Sequence, residues 1–204
     1  MTRDVPVLAL LLAAGASSRF PGDKRLAKLG NGKTVLQTSV DLLAAVLDSV
    51  FVVIKPEDAG TGRLPYEAPH SGVCSLLAPG AAGGMGCSLA EAVKQLPADC
   101  HVMIALGDMP YIRTTTIHAV LQRFQSSEKA APIVFPLFRE SHRGHPVIFH
   151  RNYRTELEAL GGDTGAGGIV SAYPQAHEPL AVSDRGVLSD IDEPGDLDQA
   201  GFSA

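Results

Sequence analysis

The chain has 204 residues, a formal net charge of −5 and a hydrophobic share of 45%. These values fit one globular domain with a sizeable core, so we expect a single domain over residues 1–204. A negative net charge without any run of Lys or Arg excludes the usual basic surface for nucleic acid, and we expect no such partner. Any phosphate that the protein binds must be held locally, by a few cations and a metal.

The first apolar run, residues 7–14, predicts a buried parallel strand. It is far shorter than the roughly 20 residues that span a bilayer, so we expect no membrane association. A signal peptide is the alternative, because Ala14-Gly15-Ala16 resembles a cleavage site, but Asp4 cancels the charge of Arg3 in the would-be basic region. The three cysteines lack disulfide or zinc spacing and predict buried thiols in a reducing, cytoplasmic compartment.

The rest of the chain alternates strand-like and helix-like segments, which is typical of a mostly parallel sheet with helices on its faces. Further strands are predicted at 50–55, 73–77, 101–106, 133–137 and 147–150, with a final one near 187–191. Helices are predicted at 34–47, 88–96, 114–125, near 152–160 and 164–172, and from Pro194 onward, with one turn in the loop 56–72. This order predicts a three-layer α/β fold with a Rossmann-like sheet.

The first strand ends at Gly15 in a loop of small residues that carries Arg19 and Lys24. A backbone that passes close to phosphate oxygens needs glycine, and the oxygens need donors and positive charge. Open α/β sheets bind their ligands at the carboxyl ends of strands, so the segment predicts a phosphate-binding loop. It is neither a Walker loop nor a dinucleotide fingerprint, because Gly15 and Gly22 are seven positions apart and Pro21 interrupts the loop.

Acidic residues follow the strand predicted at 101–106 and accompany the one predicted near 187–191. Asp108 stands in Gly-Asp-Met-Pro, and a second cluster runs from Asp190 through Asp192 to Asp196. Magnesium usually takes one or two carboxylates plus substrate phosphates, so Asp108 and Asp192 are candidate ligands if the strands converge. In the alternative interpretation Asp190 is ordinary strand-end polarity, Asp192 is a helix N-cap and Asp196 is a first-turn acid facing the helix dipole.

Three histidines, His142, His145 and His150, also invite a metal-site interpretation. Their spacing does not place all three on one face of a strand, because alternate residues of a strand point to opposite sides. We therefore do not expect a histidine metal site.

Five segments occur together in the order found in one enzyme family. They are 15–24, Gly84-Met-Gly-Cys-Ser88-Leu, Leu-Gly-Asp108-Met-Pro, Gly-His145-Pro-Val, and Asp190-Ile-Asp192-Glu-Pro-Gly-Asp-Leu. The chain thereby resembles the MobA-like nucleotidyltransferases, and among them the molybdenum cofactor cytidylyltransferases, over nearly its whole length. The first loop reads Leu-Ala-Ala-Gly, which favours the cytidylyl branch over the guanylyl branch with its usual Leu-Ala-Gly-Gly. The resemblance implies the fold of nucleotide-diphospho-sugar transferases.

The resemblance also implies an activity: magnesium-dependent transfer of CMP from CTP to molybdopterin, with release of pyrophosphate. It implies Arg19, Lys24 and Asp108 as catalytic residues, Ala13, Ala14, Gly15, Gly84 and Ser88 around the nucleotide, His145 at the acceptor, and Asp108 and Asp192 as the Mg²⁺ ligands. A molybdenum hydroxylase or its maturation chaperone would be the protein partner.

Two departures from the family pattern leave alternatives open. Gly167 stands where the family often has Arg, which removes a cation for an anionic acceptor. Arg25 and Lys28 follow Lys24 where the family usually continues through Leu and Pro, and we interpret both as solvated surface charges. The alternatives are a related enzyme that uses GTP or another phosphorylated acceptor, and a non-catalytic molybdenum-cofactor-binding chaperone for a molybdenum hydroxylase.

Overall fold

The computed structural model describes residues 5–15, 20–60 and 66–198. In these residues eight strands form one mixed sheet: β1 Val7–Leu12, β2 Val50–Ile54, β3 Val73–Leu77, β4 His101–Leu106, β5 Ile133–Phe138, β6 His142–Arg143, β7 Val147–Phe149 and β8 His177–Val182. The helices are α1 Val35–Ala44, α2 Pro56–Gly60, α3 Met85–Gln95, α4 Thr114–Gln125, α5 Arg154–Glu158 and α6 Gly167–Ala172. The predicted α/β class with a mostly parallel sheet is confirmed.

The central strands bring two carboxyl ends together at one edge of the sheet. Strands β3, β2, β1 and β4 are parallel neighbours in that order, and antiparallel β7 separates β4 from β5. Leu12 at the end of β1 pairs with Leu106 at the end of β4. The segments that follow these two residues therefore start side by side, where parallel sheets bind ligands.

Helices cover both faces of the sheet and bury it. In β1, Ala9 and Leu11 pack into a cluster with residues of α1 and α4. The alternating residues Leu8 and Leu10 pack into a second cluster with residues of α3, α5 and α6. Because both faces are covered, the central strands are apolar almost throughout, which is why their sequences predict buried parallel strands.

The prediction of a strand near 187–191 is wrong. A 3-10 turn, Arg185–Leu188, occupies that region, and the last strand of the described sheet is β8. Pro179 lies within β8 and argues against a central strand, but β8 pairs with β5 alone among the described strands, and an edge strand tolerates proline. Ile191 is apolar because it is buried in a small cluster of its own, without pairing in the sheet.

Other predicted features differ in detail. Helix α3 begins at Met85, three positions before the predicted start, because the glycine-rich segment continues directly into it. All three cysteines are free; Cys100 is buried as expected, but Cys74 is exposed. Within the described ranges, no helix is long and apolar enough to cross a membrane.

Candidate active site

Lys24 lies between two acidic side chains at the carboxyl edge of the sheet. Its Nζ donates to Asp108 Oδ2 at 2.7 Å, to the Ile191 carbonyl at 2.9 Å and to Asp192 Oδ1 at 3.3 Å. Burial opposes the charge of Lys24, but hydrogen bonds and Coulomb attraction from Asp108 and Asp192 outweigh it, so its pKa is raised. Lys24 therefore stays charged and neutralises the pair of carboxylates that the sequence predicts as metal ligands.

Gly107 lets the end of β4 approach the end of β1 and so places Asp108. Its N–H donates to the Leu12 carbonyl at 2.9 Å, and a β-carbon on Gly107 would lie only 3.0 Å from the same oxygen. Its carbonyl accepts from the buried Ser39 hydroxyl at 3.1 Å. The backbone that carries Asp108 is thus fixed by β1 on one side and by α1 on the other.

The acidic segment 190–192 is anchored by its backbone. Ile191 is fully buried, and its N–H donates to the Asp108 carbonyl at 2.8 Å. The Asp196 carboxylate accepts from the N–H groups of Asp192 and Glu193 at 2.9 and 2.8 Å. Asp196 therefore closes the turn, and the Asp192 carboxylate reaches Lys24.

Three carboxylates converge beside Lys24. One oxygen from each of Asp108, Asp190 and Asp192 lies within 4.8 Å of the others. Asp108 Oδ1 is buried and has no hydrogen-bond partner among the described residues. Hard carboxylate oxygens suit Mg²⁺ or Mn²⁺, so these residues fit a divalent cation, although its binding stays a prediction. Asp190 was not among the metal ligands predicted from the sequence, although its position two residues before Asp192 places both side chains on one side of an extended segment.

Arg25 is not the solvated surface charge predicted from the sequence. Its side chain is only 12% exposed, and its guanidinium donates to both oxygens of Asp58 at 2.6 and 2.9 Å. It also donates to the Asp23 carboxylate and to the Ala13 carbonyl. The hydrogen bonds from Arg25 lower the pKa of Asp23 and of Asp58. Arg25 thus ties the turn that carries Lys24 to the end of β1 and to α2.

A cavity of about 190 Å³ opens beside the carboxylate cluster. Its walls are mainly apolar and include Leu12, Met85, Leu89, Ile104, Val147 and Phe149. Its polar side chains are Arg143 and His145. The Nδ1 atom of His145 is buried without a hydrogen-bond partner among the described residues. Burial lowers the pKa of His145, although the Ile104 carbonyl and the charge of Asp108 act the other way. His145 is therefore a neutral imidazole in this cavity.

A buried aspartate holds the segment that carries His145. Asp184 is 3% exposed and accepts hydrogen bonds from the Gly186 N–H at 3.0 Å and the Thr116 hydroxyl at 2.7 Å. These bonds fix the 3-10 turn against the start of α4. The Val187 carbonyl of that turn accepts from the His145 N–H at 3.0 Å. The position of His145 therefore depends on a residue that sequence reasoning did not single out.

Close packing accounts at least in part for the presence of Gly at position 84 and Ser at position 88. Gly84 has a φ of +109°, and a β-carbon there would lie 2.4 Å from an oxygen of Asp163. Ser88 is buried and donates to the Gly84 carbonyl at 3.3 Å. Met85 and Leu89, from the same helix, reach the cavity. The contacts of Gly84 and Ser88 with a nucleotide stay predictions.

The remaining predicted nucleotide residues lie just beyond β1. Ala13 and Ala14 are buried, and the Ala13 N–H donates to the Val53 carbonyl at 2.9 Å. Gly15 is exposed, no described atom lies within 4 Å of where its β-carbon would stand, and Arg19 lies outside the described residues. Their roles stay predictions.

The structure does not bring the three histidines of residues 142–150 together. His142 is exposed and bonded to the Ser141 hydroxyl at 2.8 Å. The ring of His150 lies 4.6 Å from that of His101, at the amino end of β4. His145 lies toward the opposite end of that strand, close to Asp108 and Asp190.

The sheet order brings a lysine and three carboxylates to the carboxyl edge of an α/β sheet, an arrangement that fits a nucleotidyltransferase. The chain belongs to the family of MobA-like NTP transferase domains, whose model matches residues 9–178.

Comparisons with known proteins agree on the fold but not on one activity. Rv0371c from Mycobacterium tuberculosis H37Rv is 25% identical, with a TM-score of 0.76 over 94% of this chain and 95% of that one. Nicotine blue oxidoreductase of Paenarthrobacter nicotinovorans is 25% identical over 197 residues, which cover 93% of this chain and 94% of that protein. The bifunctional protein GlmU of Bifidobacterium longum is 27% identical over 130 residues; the match covers 62% of this chain but only 28% of the GlmU length.

Proposed function

We propose that the protein is a magnesium-dependent cytidylyltransferase that transfers CMP from CTP to molybdopterin and releases pyrophosphate. The observation that carries the proposal is the convergence of Lys24 with Asp108, Asp190 and Asp192 at the carboxyl edge of the sheet. A nucleotidyl transfer needs positive charge around the phosphates, which Lys24 and a divalent cation held by the carboxylates would supply.

Asp108 and Asp192, with Asp190 beside them, would hold the Mg²⁺. When bound, the ion would neutralise charge on the phosphate oxygens of CTP. Lys24 would supply a second cation for those oxygens, since its Nζ already lies at the carboxylates. The attacking oxygen comes from the acceptor phosphate, so the protein needs no nucleophile of its own and acts by positioning and charge.

The first loop and the cavity guide the choice of substrates. CTP follows from the resemblance of the Leu-Ala-Ala-Gly segment to the cytidylyl branch. The apolar walls of the cavity suit the face of a flat heteroaromatic ring such as a pterin, and the neutral imidazole of His145 suits a polar group on its rim. Molybdopterin meets both requirements.

Redox chemistry is the second candidate, because the relative that matches 93% of this chain bears the name of an oxidoreductase. A redox enzyme would have no need of a lysine held among three carboxylates. The two candidate functions therefore differ in the role that they give to Lys24 and Asp108.

The test is pyrophosphate release from CTP and from GTP, each with Mg²⁺ and with or without molybdopterin. We expect release from CTP that requires both the metal and the acceptor. Preference for GTP would contradict the cytidylyl assignment. Binding of molybdopterin without release from any nucleotide would support a delivery chaperone for a molybdenum hydroxylase. Oxidation of a reduced nicotinamide cofactor coupled to reduction of an added quinonoid dye, without pyrophosphate release, would support the redox candidate.

A further inference from the structure

Arg143 lines the cavity and has no acidic partner among the described residues. It belongs to β6, where it pairs with Leu137, and its guanidinium makes no hydrogen bond or ion pair with the described residues. Its Cζ lies 6.0 Å from the centre of the Phe135 ring. A cation that borders an apolar cavity without a carboxylate beside it is available to a ligand.

Gly167 lies beside this guanidinium. A β-carbon at Gly167 would lie 3.4 Å from Nη2 of Arg143, which is an ordinary van der Waals contact. Both residues line the same cavity, one from β6 and one from the start of α6. Arg143 therefore places a cation beside position 167, where the family often has Arg.

The surroundings of Arg143 favour an anion attached to an apolar body. Arg143 is exposed where it borders the cavity, and its guanidinium can form charge-assisted hydrogen bonds to a carboxylate or phosphate. The apolar walls include Met85, Val147 and Phe149, which would cover the body of such a ligand. His145, with its buried and unpartnered Nδ1, adds a neutral hydrogen-bonding group on the same wall.

We propose that Arg143 determines acceptor specificity by binding an anionic substituent on a flat ring held in the cavity. The proposal rests on the proposed function in one respect, namely that this cavity receives the acceptor. Under this proposal the acceptor carries a negative charge, a property that the carboxylate cluster at Lys24 does not determine.

The test compares two fluorescent probes of nearly equal size, pterin-6-carboxylate and uncharged 6-methylpterin, titrated without nucleotide. We expect the unmodified protein to bind the carboxylate about tenfold more tightly, as a net charge-assisted contact would give. In Arg143→Met the two affinities become equal while that for 6-methylpterin is unchanged. The matched control is Arg139→Met, because Arg139 stacks on Phe138 away from the cavity lining; it should keep the full preference.

A second variant moves the cation to the other wall. Arg143→Met combined with Gly167→Arg should restore part of the preference for the carboxylate, since both positions border one space. Equal binding of both probes by the unmodified protein, or binding of neither, overturns the proposal. Equal weakening of both probes in a folded Arg143→Met also overturns it, because Arg143 would then only shape the cavity.

The two proposals can fail separately. Pyrophosphate release from CTP without any probe preference would leave the nucleotidyl transfer standing and remove the role of Arg143. Probe preference without pyrophosphate release would leave an anion-selective cavity in a protein of another activity.

Discussion

The cluster around Lys24 and the cavity around His145 lie at the same edge of the sheet but differ in whether their charged and polar side chains are paired. Lys24 bonds to two carboxylates, and the neighbouring Arg25 bonds to two more. In the cavity, Arg143 and the Nδ1 of His145 have no such partners among the described residues. Charges that are paired hold a shape before any substrate arrives, whereas unpaired polar groups are available to a ligand. The predictions below test that division.

The largest effect is expected from Asp108→Asn. The amide keeps the shape of the side chain but removes the charge that Lys24 and a divalent cation share. We expect pyrophosphate release to fall by about a hundredfold to a thousandfold, the loss typical of one preorganised electrostatic group. Circular dichroism should show an unchanged fold. Asp99→Asn, at an exposed position bonded to Arg151, is the matched control and should keep its rate. A near-normal rate in Asp108→Asn would mean that the cluster is not the metal site.

The next effect is on stability and tests Arg25. Removing one partner of a fully buried ion pair costs about 3–5 kcal/mol, and the partial exposure of Asp23 and Asp58 reduces our expectation for Arg25→Met to about 2 kcal/mol. Because Arg25 lowers the pKa of Asp58 below the ordinary value of 3.8, this stability is present above pH 3.8 and is lost as the pH falls through the folded-state pKa.

Urea unfolding at neutral pH and at acid pH measures both parts of this prediction. Lys33→Met is the control, because Lys33 pairs with Asp41 while 56% exposed, and its loss should cost less than about 1 kcal/mol. Arg25→Lys should fall between the two, since lysine cannot reproduce the forked contact with Asp58. If the two methionine variants unfolded alike, the charge pairing at Arg25 would not hold the turn that carries Lys24.

These charge pairs also show which features could not be predicted from the sequence. The predicted bounds of β4 and α4 match the structure, because their periodic or continuous apolar patterns are set by local burial. Asp23 is a local partner of Arg25, but Asp58 is 33 positions away, and only the meeting of α2 with the turn after β1 brings Arg25 and Asp58 together. Hence the sequence predicts Arg25 to be a surface charge, whereas its side chain is mostly buried in the structure.

Some residues of the candidate site could likewise be predicted from the sequence, and others could not. Asp108 and Asp192 were predictable because each stands in a recognisable segment, even though residues 189–192 are irregular and the strand expected near 187–191 is absent from the described sheet. Arg143 was not, because its meeting with Gly167 depends on how β6 and α6 pack. Strand β8 was missed because Pro179 is acceptable only at a sheet edge, and edge position is a property of the whole fold.

Lys24→Met should separate metal binding from turnover. Lys24 occupies the carboxylates that a divalent cation would use, so removing its ammonium group should raise the affinity for Mn²⁺ by about tenfold, given partial screening by solvent. Pyrophosphate release should fall at the same time, because a cation for the phosphates is lost. Electron paramagnetic resonance of free Mn²⁺ measures the affinity, with Lys33→Met as control. Unchanged or weaker Mn²⁺ binding would show that Lys24 does not compete for the carboxylates.

The smallest effect concerns His145→Gln and the pH dependence of unfolding. Because burial lowers the pKa of His145 below the ordinary 6.5, the unfolded chain binds a proton near pH 6.5 and the folded chain does not. Stability therefore falls as the pH drops below 6.5, by less than about 1.4 kcal/mol per pH unit for one proton. The variant should lose that part of the slope.

His101, with a pKa of about 4 caused mainly by burial, adds to the slope in both proteins, so the difference between them is the readout. An equal slope in the two proteins would mean that burial does not lower the pKa of His145 in the folded state. The cavity would then hold two positive side chains instead of Arg143 alone, and the contrast with the paired charges at Lys24 would be greater still.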